Sequence, residues 1–149
     1  MIYHKIKIHG TPKVVSLTRT KAIRCHCLEC QGNSSDEVKE CTVTDCPLHE
    51  YRLGHVPEEL KGKERYTRSK AIRLKCKDCA ENNPAIRDCG CLTCPTWHYR
   101  GSGHVPDPTQ QKELKVAYNK KKNQMNRQMP EAARQKLEAF REARRKAKA

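Results

Sequence analysis

Apolar and polar residues alternate near the start of the chain, as they do in a half-buried β-strand. Over residues 5–9, Ile6 and Ile8 alternate with lysine and histidine. The following Gly-Thr-Pro predicts a turn that leads into a second apolar run at residues 13–17. Residues 1–17 are therefore predicted to form an N-terminal, β-hairpin-like strand segment.

Two further stretches, residues 18–24 and 67–74, carry the pattern of one or two helical turns. Each begins with a threonine, Thr18 or Thr67, whose hydroxyl can cap a helix N-terminus. Each continues through an Ala-Ile pair that would face a small core. The two stretches are therefore predicted to be short helices of the same kind.

The last quarter of the chain is rich in helix-forming residues. Residues 109–128 predict one helix, and Pro130 marks the start of a second helix over residues 131–147. The second helix begins acidic and ends basic, which complements the helix dipole. Its apolar stripe is too narrow for a free-standing domain and consists of Ala133, Leu137 and Phe140.

The supply of core-forming residues is small for a chain of 149 residues. Leu, Ile, Val and Phe together number 23, whereas 32% of the residues are charged. A chain this polar buries too little apolar surface to fold by burial alone. Small domains with weak cores are commonly held by disulfides or metal ions. The ten cysteines are the candidates for that role.

The cellular compartment determines whether disulfides or metal ions are expected. The first ten residues lack the apolar run and cleavage site of a secretory signal, and no stretch approaches 18 apolar residues. These features predict a cytoplasmic protein without a membrane span. Because thiols stay reduced there, metal ligation is the expected role of the cysteines.

The chain also contains an internal repeat with an offset of 48 or 49 residues. The segment TRTKAIR at 18–24 aligns with TRSKAIR at 67–73, and each copy closes on Gly-His-Val-Pro. The repeat predicts a small, metal-stapled α+β protein with two tandem four-cysteine zinc modules. Its predicted parts are the strand segment 1–17, the first module 18–58, a linker 59–66, the second module 67–107 and a basic helical C-terminal arm 108–149.

Each module carries four cysteines in two close pairs, spaced Cys-x2-Cys and Cys-x4-Cys-Pro. Four thiolates in this arrangement suit a tetrahedral ion, because one turn aims two sulfurs at a point and the loop returns the second pair. The pattern predicts one structural Zn²⁺ per module, two per chain. The predicted ligands are Cys27, Cys30, Cys41 and Cys46 in the first module, and Cys76, Cys79, Cys89 and Cys94 in the second.

Other uses of four cysteines stay open. An iron–sulfur cluster also takes four thiolates and often a Cys-Pro step. A redox dithiol fits two complete sets of four less well. Neither Cys-x2-Cys is followed by histidine, which excludes covalently attached haem.

Two cysteines fall outside the repeated pattern. Cys25 aligns with Leu74 and Cys91 with Val43. Because their counterparts are apolar, both are predicted to be small buried hydrophobes. One ambiguity remains, since Cys91 could replace Cys89 as a ligand of the second site.

The histidines are not predicted to be ligands, because each site already has four sulfurs. His55 and His104 close the two modules and are predicted to be turn residues. His26, His49 and His98 have no histidine at the aligned position of the other module. No role is therefore predicted for them.

Positive charge is concentrated in the C-terminal arm. Residues 109–149 hold 13 Lys and Arg against 4 acids, whereas residues 1–108 hold 18 against 13. Basic side chains predict contacts to phosphate backbones, which give affinity and salt dependence but do not read sequence. In the module helices the basic pairs could equally be solvated surface. The predicted nucleic-acid contacts are Arg19, Lys21, Arg24, Arg68, Lys70, Arg73, Lys120, Lys121, Lys122, Arg144, Arg145 and Lys146.

The pattern Lys-Ala-Ile-Arg-x2-Cys-x2-Cys, followed by Cys-x4-Cys-Pro-Leu-x2-Tyr-Arg, resembles that of small cysteine-rich proteins encoded by bacteriophages and prophages. The first module fits it throughout. The second has Thr96 where Leu48 stands, and Ser102 is inserted before Gly103. The resemblance covers about residues 18–107 and implies zinc binding and a phage setting in a bacterial host cell. It implies no activity.

Together these features predict a nucleic-acid-binding zinc protein, a phage-type regulator of DNA or of a transcription or ribonucleoprotein complex. Duplex DNA or structured RNA is favoured, since few aromatics are present to stack on single strands. The alternative is an adaptor that docks on a host or phage complex, such as RNA polymerase. An enzyme is not predicted, because four sulfurs would leave no open coordination position and no catalytic constellation is evident.

Overall fold

The computed structural model describes residues 1–80, 83–101 and 106–146. It confirms the predicted small α+β class: an antiparallel hairpin at the N-terminus is followed by helices. The strands are β1 (Ile2–Ile8) and β2 (Thr11–Leu17). The helices of the described residues are α1 (Arg19–Cys30), α2 (Ser35–Lys39), α3 (Arg68–Cys79), α4 (Asn83–Arg87), α5 (Pro108–Arg127) and α6 (Glu131–Lys146), with 3₁₀ turns at His49–Tyr51, Glu58–Leu60 and Trp97–Tyr99.

The hairpin confirms the strand segment predicted from alternation. The strands pair from Ile2 opposite Leu17 to Ile8 opposite Thr11. The two residues that join the strands, His9 and Gly10, both have positive φ, 49° and 74°, as a tight hairpin turn requires. Ile6 and Leu17 of the hairpin are buried in one cluster with Ala22 of α1.

Helices α1 and α3 are longer than the one or two turns predicted for them. Each has 12 residues and begins after its threonine, with Thr18 accepting from the Lys21 N–H and Thr67 from the Lys70 N–H. Each continues to the second cysteine of its close pair. The Cys-x2-Cys pairs thus lie at helix ends rather than in turns. This spacing puts the two sulfurs on one helix face.

The two modules share one core. Ile23 and Leu48 from the first module pack in the same buried cluster as Ala71 and Ile72 from the second. A tyrosine of each module also bonds the chain just before the first helix of the other module. The Tyr51 hydroxyl donates to the Tyr66 carbonyl, just before α3, and the Tyr99 hydroxyl donates to the Leu17 carbonyl, just before α1, at 2.9 Å.

The two helices of the C-terminal arm differ, because α5 packs on the hairpin and α6 is exposed. Helix α5 packs on the hairpin, where the Gln111 amide accepts from the Tyr3 N–H and donates to the Tyr3 carbonyl, both at 2.8 Å. The Tyr118 ring lies 5.4 Å from the Tyr3 ring. Helix α6 has no buried residue, and its Phe140 is 65% exposed. None of the helices described is both long and apolar enough to span a membrane.

Candidate metal centres and basic surface

The four predicted ligands of the first module surround one cavity. Cys27 and Cys30 come from the end of α1, and Cys41 and Cys46 from the chain after α2. All four line a cavity of about 110 Å³. Burial raises the pKa of the Cys27 thiol to about 12, helped by the charges of the other three cysteines. The first cluster is therefore a gathered set of mutually interacting sulfurs.

The second module gathers its four predicted ligands in the same way. Burial raises the pKa of the Cys76 thiol to about 11, and the charges of Cys94, Cys79 and Cys89 act in the same direction. The Thr96 hydroxyl lies 3.2 Å from Cys94 Sγ and opposes part of this shift. The other three predicted ligands of the second module therefore lie close enough to Cys76 for their charges to affect its pKa.

The cysteines of each cluster lie near one another, but they do not have the geometry of a metal site. Within residues 1–80, 83–101 and 106–146, no three His, Cys, Asp or Glu side chains form a group that could hold a metal ion as they stand. The four cysteines of the first module line one cavity, and the charges of three of them affect the pKa of Cys27, so these side chains lie near one another. The sulfurs would have to move closer together to bind an ion. Four cysteine thiols remain a donor set that suits Zn²⁺.

The chain before the third cysteine of the first cluster is held by Arg52. Its guanidinium donates to the carbonyls of Val38 at 3.1 Å, Lys39 at 3.3 Å and His49 at 3.0 Å. The carbonyls at the end of α2 have no partner within the helix, and a planar guanidinium can bond several of them at once. Arg52 therefore fixes where the chain leaves α2 for Cys41.

Arg100 makes the same contacts in the second module. It donates to the carbonyls of Ile86 at 3.0 Å, Arg87 at 3.1 Å and Trp97 at 2.6 Å. Its guanidinium also lies 3.9 Å from the centre of the Trp97 ring. Since both arginines belong to the repeated Tyr-Arg pair, this support of the third cysteine is a property of the module itself.

A ring N–H supports the third cysteine of each cluster. His49 Nε2 lies 3.0 Å from the Cys41 carbonyl, and Trp97 Nε1 donates to the Cys89 carbonyl at 2.9 Å. Because a carbonyl can only accept, Nε2 of His49 carries the proton. His49 and Trp97 occupy aligned positions, so two different side chains supply the same donor. Because the aligned residue is not a histidine, this role of His49 was not predicted from the sequence.

One side chain crosses from the first module to the second cluster. His26 stands between Cys25 and Cys27 in α1, yet its Nδ1 lies 3.9 Å from Cys94 Sγ. Burial lowers the pKa of His26, and the charge of Lys75 lowers it further. Lys75 occupies the position in α3 that aligns with His26, and both side chains line the cavity of the first cluster. Alignment of the two modules predicts neither contact.

His98 joins the second module to the hairpin. His4 Nε2 lies 3.2 Å from the Cys94 carbonyl, and His98 Nε2 lies 2.9 Å from His4 Nδ1. Both rings are buried. Since the carbonyl takes a proton from His4 Nε2, His4 Nδ1 accepts from His98. This pair anchors β1 beside the second cluster.

The two additional cysteines differ from each other. Cys25 packs against the cluster of Ile6, Leu17 and Ala22, and burial raises its pKa. The prediction of a buried side chain was wrong for Cys91, which is exposed. Its counterpart Val43 is exposed too, because both lie in loops that have no core to cover them.

Cys91 is nevertheless close enough for its charge to help raise the pKa of Cys94. It therefore remains an alternative to Cys89 at the second cluster. His55 is exposed at the end of the first module. Its counterpart His104 lies outside the described residues.

The predicted basic contacts fall into distinct groups. Arg19 and Arg68 begin α1 and α3, and each guanidinium lies 5.2 Å from the ring centre of a tyrosine in the other module, Tyr99 or Tyr51. Neither helix has an acidic residue in its first turn. Both arginines line one open cleft of about 420 Å³. The structure thus places two helix N-termini and two arginines side by side.

The other predicted contacts are less uniform. Arg24 donates to the Arg52 carbonyl at 3.1 Å and to Ser35 Oγ at 2.8 Å, so it supports the first module. Lys70 Nζ lies 5.1 Å from the centre of the Tyr66 ring. The remaining predicted contacts are exposed on α1, α3, α5 and α6, and they are Lys21, Arg73, Lys120, Lys121, Lys122, Arg144, Arg145 and Lys146.

Comparison with known proteins adds no relative. No protein-family model matches the chain, and neither the curated proteins nor the solved structures contain a significant match.

Proposed function

We propose that the chain is a zinc-stapled protein that binds the phosphate backbone of duplex DNA or structured RNA. The observation that carries the proposal is the cleft between α1 and α3. Arg19 and Arg68 flank it without acidic residues in either first turn. Backbone N–H groups at helix N-termini and arginine guanidinium groups both favour phosphate.

The zinc part of the proposal rests on the cysteine clusters. The four thiols of the first set line one cavity, the charges of the second set act on Cys76, and a ring N–H from His49 or Trp97 supports the third cysteine of each module. Zn²⁺ would supply the cross-link that the small apolar core does not. The chain's own arginines and ring N–H groups position the cysteine loops around the ion.

Metal analysis tests the zinc part. Protein purified without added metal is expected to be colourless and to contain two Zn²⁺ per chain, and chelation is expected to unfold residues 18–107. A brown, iron-containing protein would replace zinc by an iron–sulfur cluster. A chain that keeps its fold without any ion would refute the proposal of a metal staple.

Salt dependence tests the nucleic-acid part. Affinity for duplex DNA and for double-stranded RNA is measured by fluorescence anisotropy over a range of salt concentrations. Arg68→Gln is expected to weaken binding and to reduce the salt slope by about 1, because one phosphate contact is lost. Lys77→Gln at the opposite end of α3 is the matched control and is expected to leave the slope unchanged.

Wild-type affinity that barely changes between low and moderate salt would contradict this proposal. Equal effects of Arg68→Gln and Lys77→Gln would show that net charge, and not the cleft, attracts the nucleic acid. In the proposed setting the protein is a phage-type regulator in the bacterial cytoplasm.

Helix α6 favours a second candidate, an adaptor that docks on a protein complex such as RNA polymerase. Its apolar stripe includes the exposed Phe140, and its last turn carries three basic residues. A pull-down with and without nuclease distinguishes the two functions. Partners that survive nuclease favour the adaptor, and partners that are lost favour binding through nucleic acid.

A further inference from the structure

We propose that the two cysteine clusters bind their ions as a coupled pair, because each module supplies contacts that support the cluster of the other. The inference rests on the proposed zinc function. It goes beyond that function by assigning positioning roles to His26, Lys75, Tyr51 and Tyr99. Two independent modules would instead bind two ions without influence on each other.

The first contact is the one from His26 to the second cluster. Its Nδ1 lies 3.9 Å from Cys94 Sγ, and the two residues are 68 positions apart in the chain. The tautomer with a proton on Nδ1 donates to a Cys94 thiolate. Hydrogen bonds of this kind orient metal-bound ligands and tune their affinity for the metal. The second cluster is thus supported by a side chain of α1, the helix that carries Cys27 and Cys30.

The opposite contact comes from Lys75 at the first cluster. Lys75 in α3 lines the cavity around Cys27, Cys30, Cys41 and Cys46. Four thiolates around one Zn²⁺ leave two net negative charges, so a neighbouring ammonium group stabilises the loaded cluster. Asp78 Oδ2 lies 3.8 Å from Lys75 Nζ and offsets part of the effect.

The tyrosines provide a second, independent link in each direction. Tyr51 follows Cys46 in the first cluster, and its hydroxyl bonds the Tyr66 carbonyl that precedes the Thr67 cap of α3. Tyr99 follows Cys94 in the second cluster, and its hydroxyl bonds the Leu17 carbonyl before α1. Each cluster therefore fixes the start of the helix that carries the first cysteine pair of the other.

Occupancy of one cluster should in consequence raise the affinity of the other. An ion in the first cluster orders Cys46 and the 3₁₀ turn that contains Tyr51. This turn holds the start of α3 and with it Cys76 and Cys79. The same sequence of contacts runs from the second cluster through Tyr99 to α1.

The test uses the full chain and ¹¹³Cd²⁺, which gives one NMR resonance for each occupied cluster. The resonances are assigned with Cys41→Ser in the first cluster and Cys76→Ser in the second. Tyr51→Phe, a change in the first module, is expected to weaken the second cluster about three- to tenfold, the range for one lost hydrogen bond. Tyr99→Phe is expected to weaken the first cluster by a similar factor. Tyr118→Phe on α5 is the matched control.

His26→Gln tests the direct contact. It is expected to weaken cadmium binding at the second cluster about tenfold or more, as loss of a ligand's hydrogen-bond partner does. Its effect is measured in the Cys41→Ser chain, where only the second cluster binds. His55→Gln, which changes an exposed histidine, is expected to have no effect.

The outcomes separate the coupling from the proposed zinc function. A wild-type chain that binds no cadmium or zinc would refute both. Two ions that bind with unchanged affinity in Tyr51→Phe, Tyr99→Phe and His26→Gln would refute only the coupling. A variant that weakens only the cluster of its own module, or lowers thermal stability without a change at the other cluster, would refute it as well.

Discussion

The two modules share a repeated sequence that extends beyond their cysteines, and the loops around the cysteines are held by the same contacts. Arg52 and Arg100 bond equivalent carbonyls, and a ring N–H from His49 or Trp97 bonds the third cysteine of each cluster. The differences lie elsewhere. The side chain before the first ligand is His26 in one module and Lys75 in the other. His26 lies beside Cys94 of the second cluster and also lines the cavity of the first, whereas Lys75 lines the cavity of the first cluster. The contacts within a module therefore repeat, whereas the contacts between modules have diverged.

The largest expected effect separates cluster cysteines from the additional ones. Cys46→Ser removes a proposed ligand and is expected to cost about 3 kcal/mol or more, a fall in Tm of about 10 °C. Cys25→Ser replaces a packed thiol and is expected to cost about 1 kcal/mol. Thermal unfolding of the metal-loaded chain measures both. Comparable losses would mean that the ligand set is wrong.

The next largest effect is expected from substitutions of Arg52 and Arg100. Lysine cannot bond several carbonyls in one plane, so Arg100→Lys is expected to cost about 2 kcal/mol. Arg52→Lys is expected to cost about 1 kcal/mol, because Arg52 is half-buried whereas Arg100 is 8% exposed. Urea unfolding gives both values, with Arg141→Lys on α6 as the control. A larger loss for Arg52→Lys would reverse the order that burial predicts.

A smaller effect concerns the ring N–H at the third cysteine. Trp97→Phe removes the donor to the Cys89 carbonyl and is expected to cost about 1 kcal/mol of unfolding free energy. His49→Phe does the same at Cys41, and His49→Trp is expected to cost less than His49→Phe because it keeps an N–H. If His49→Trp proves the more damaging, shape and not the hydrogen bond decides this position.

The smallest expected effect near neutral pH is that of cysteine ionisation on the stability of the metal-free chain. Burial raises the folded-state pKa of Cys27 to about 12 and of Cys76 to about 11, from an ordinary value of 9.0. Folding therefore favours the protonated thiols. Their contribution to stability is complete below pH 9 and is lost as the pH rises towards these values, more in the first module than in the second.

The metal-loaded chain is expected to respond in the opposite direction. Metal binding requires thiolates, so affinity rises with pH. Circular dichroism between pH 7 and 11, with and without zinc, shows both trends. Metal-free protein that gains stability above pH 9 would contradict the assigned direction.

The parts of the fold that depend on local pattern could be predicted from sequence. Alternation around Ile6 gave the hairpin, the threonine caps gave the starts of α1 and α3, and Pro130 separated α5 from α6. The extent of α1 and α3 could not be predicted, because a Cys-x2-Cys pair fits a helix end as well as a turn. In the structure, Cys27 and Cys76 pack against the shared core one turn after Ile23 and Ile72, whereas Cys30 and Cys79 at the helix ends are exposed.

The contacts between modules were hidden for a different reason. Aligning the repeat compares each residue with its own counterpart, whereas His26 lies beside Cys94, which is not its counterpart. Burial of Cys91 was inferred from the apolar Val43, but an apolar residue in a loop need not be covered. Alignment of the two modules therefore predicted elements that both modules contain, but it did not predict the contacts between the modules.

The Gln111 side chain covers part of the free edge of the hairpin. Its amide occupies both backbone groups of Tyr3, on the edge of β1 that faces away from β2. An uncovered strand edge recruits strands from other chains. A chain cut before Pro108 would lose this cover, and we expect it to self-associate through β1 more strongly than the full chain does.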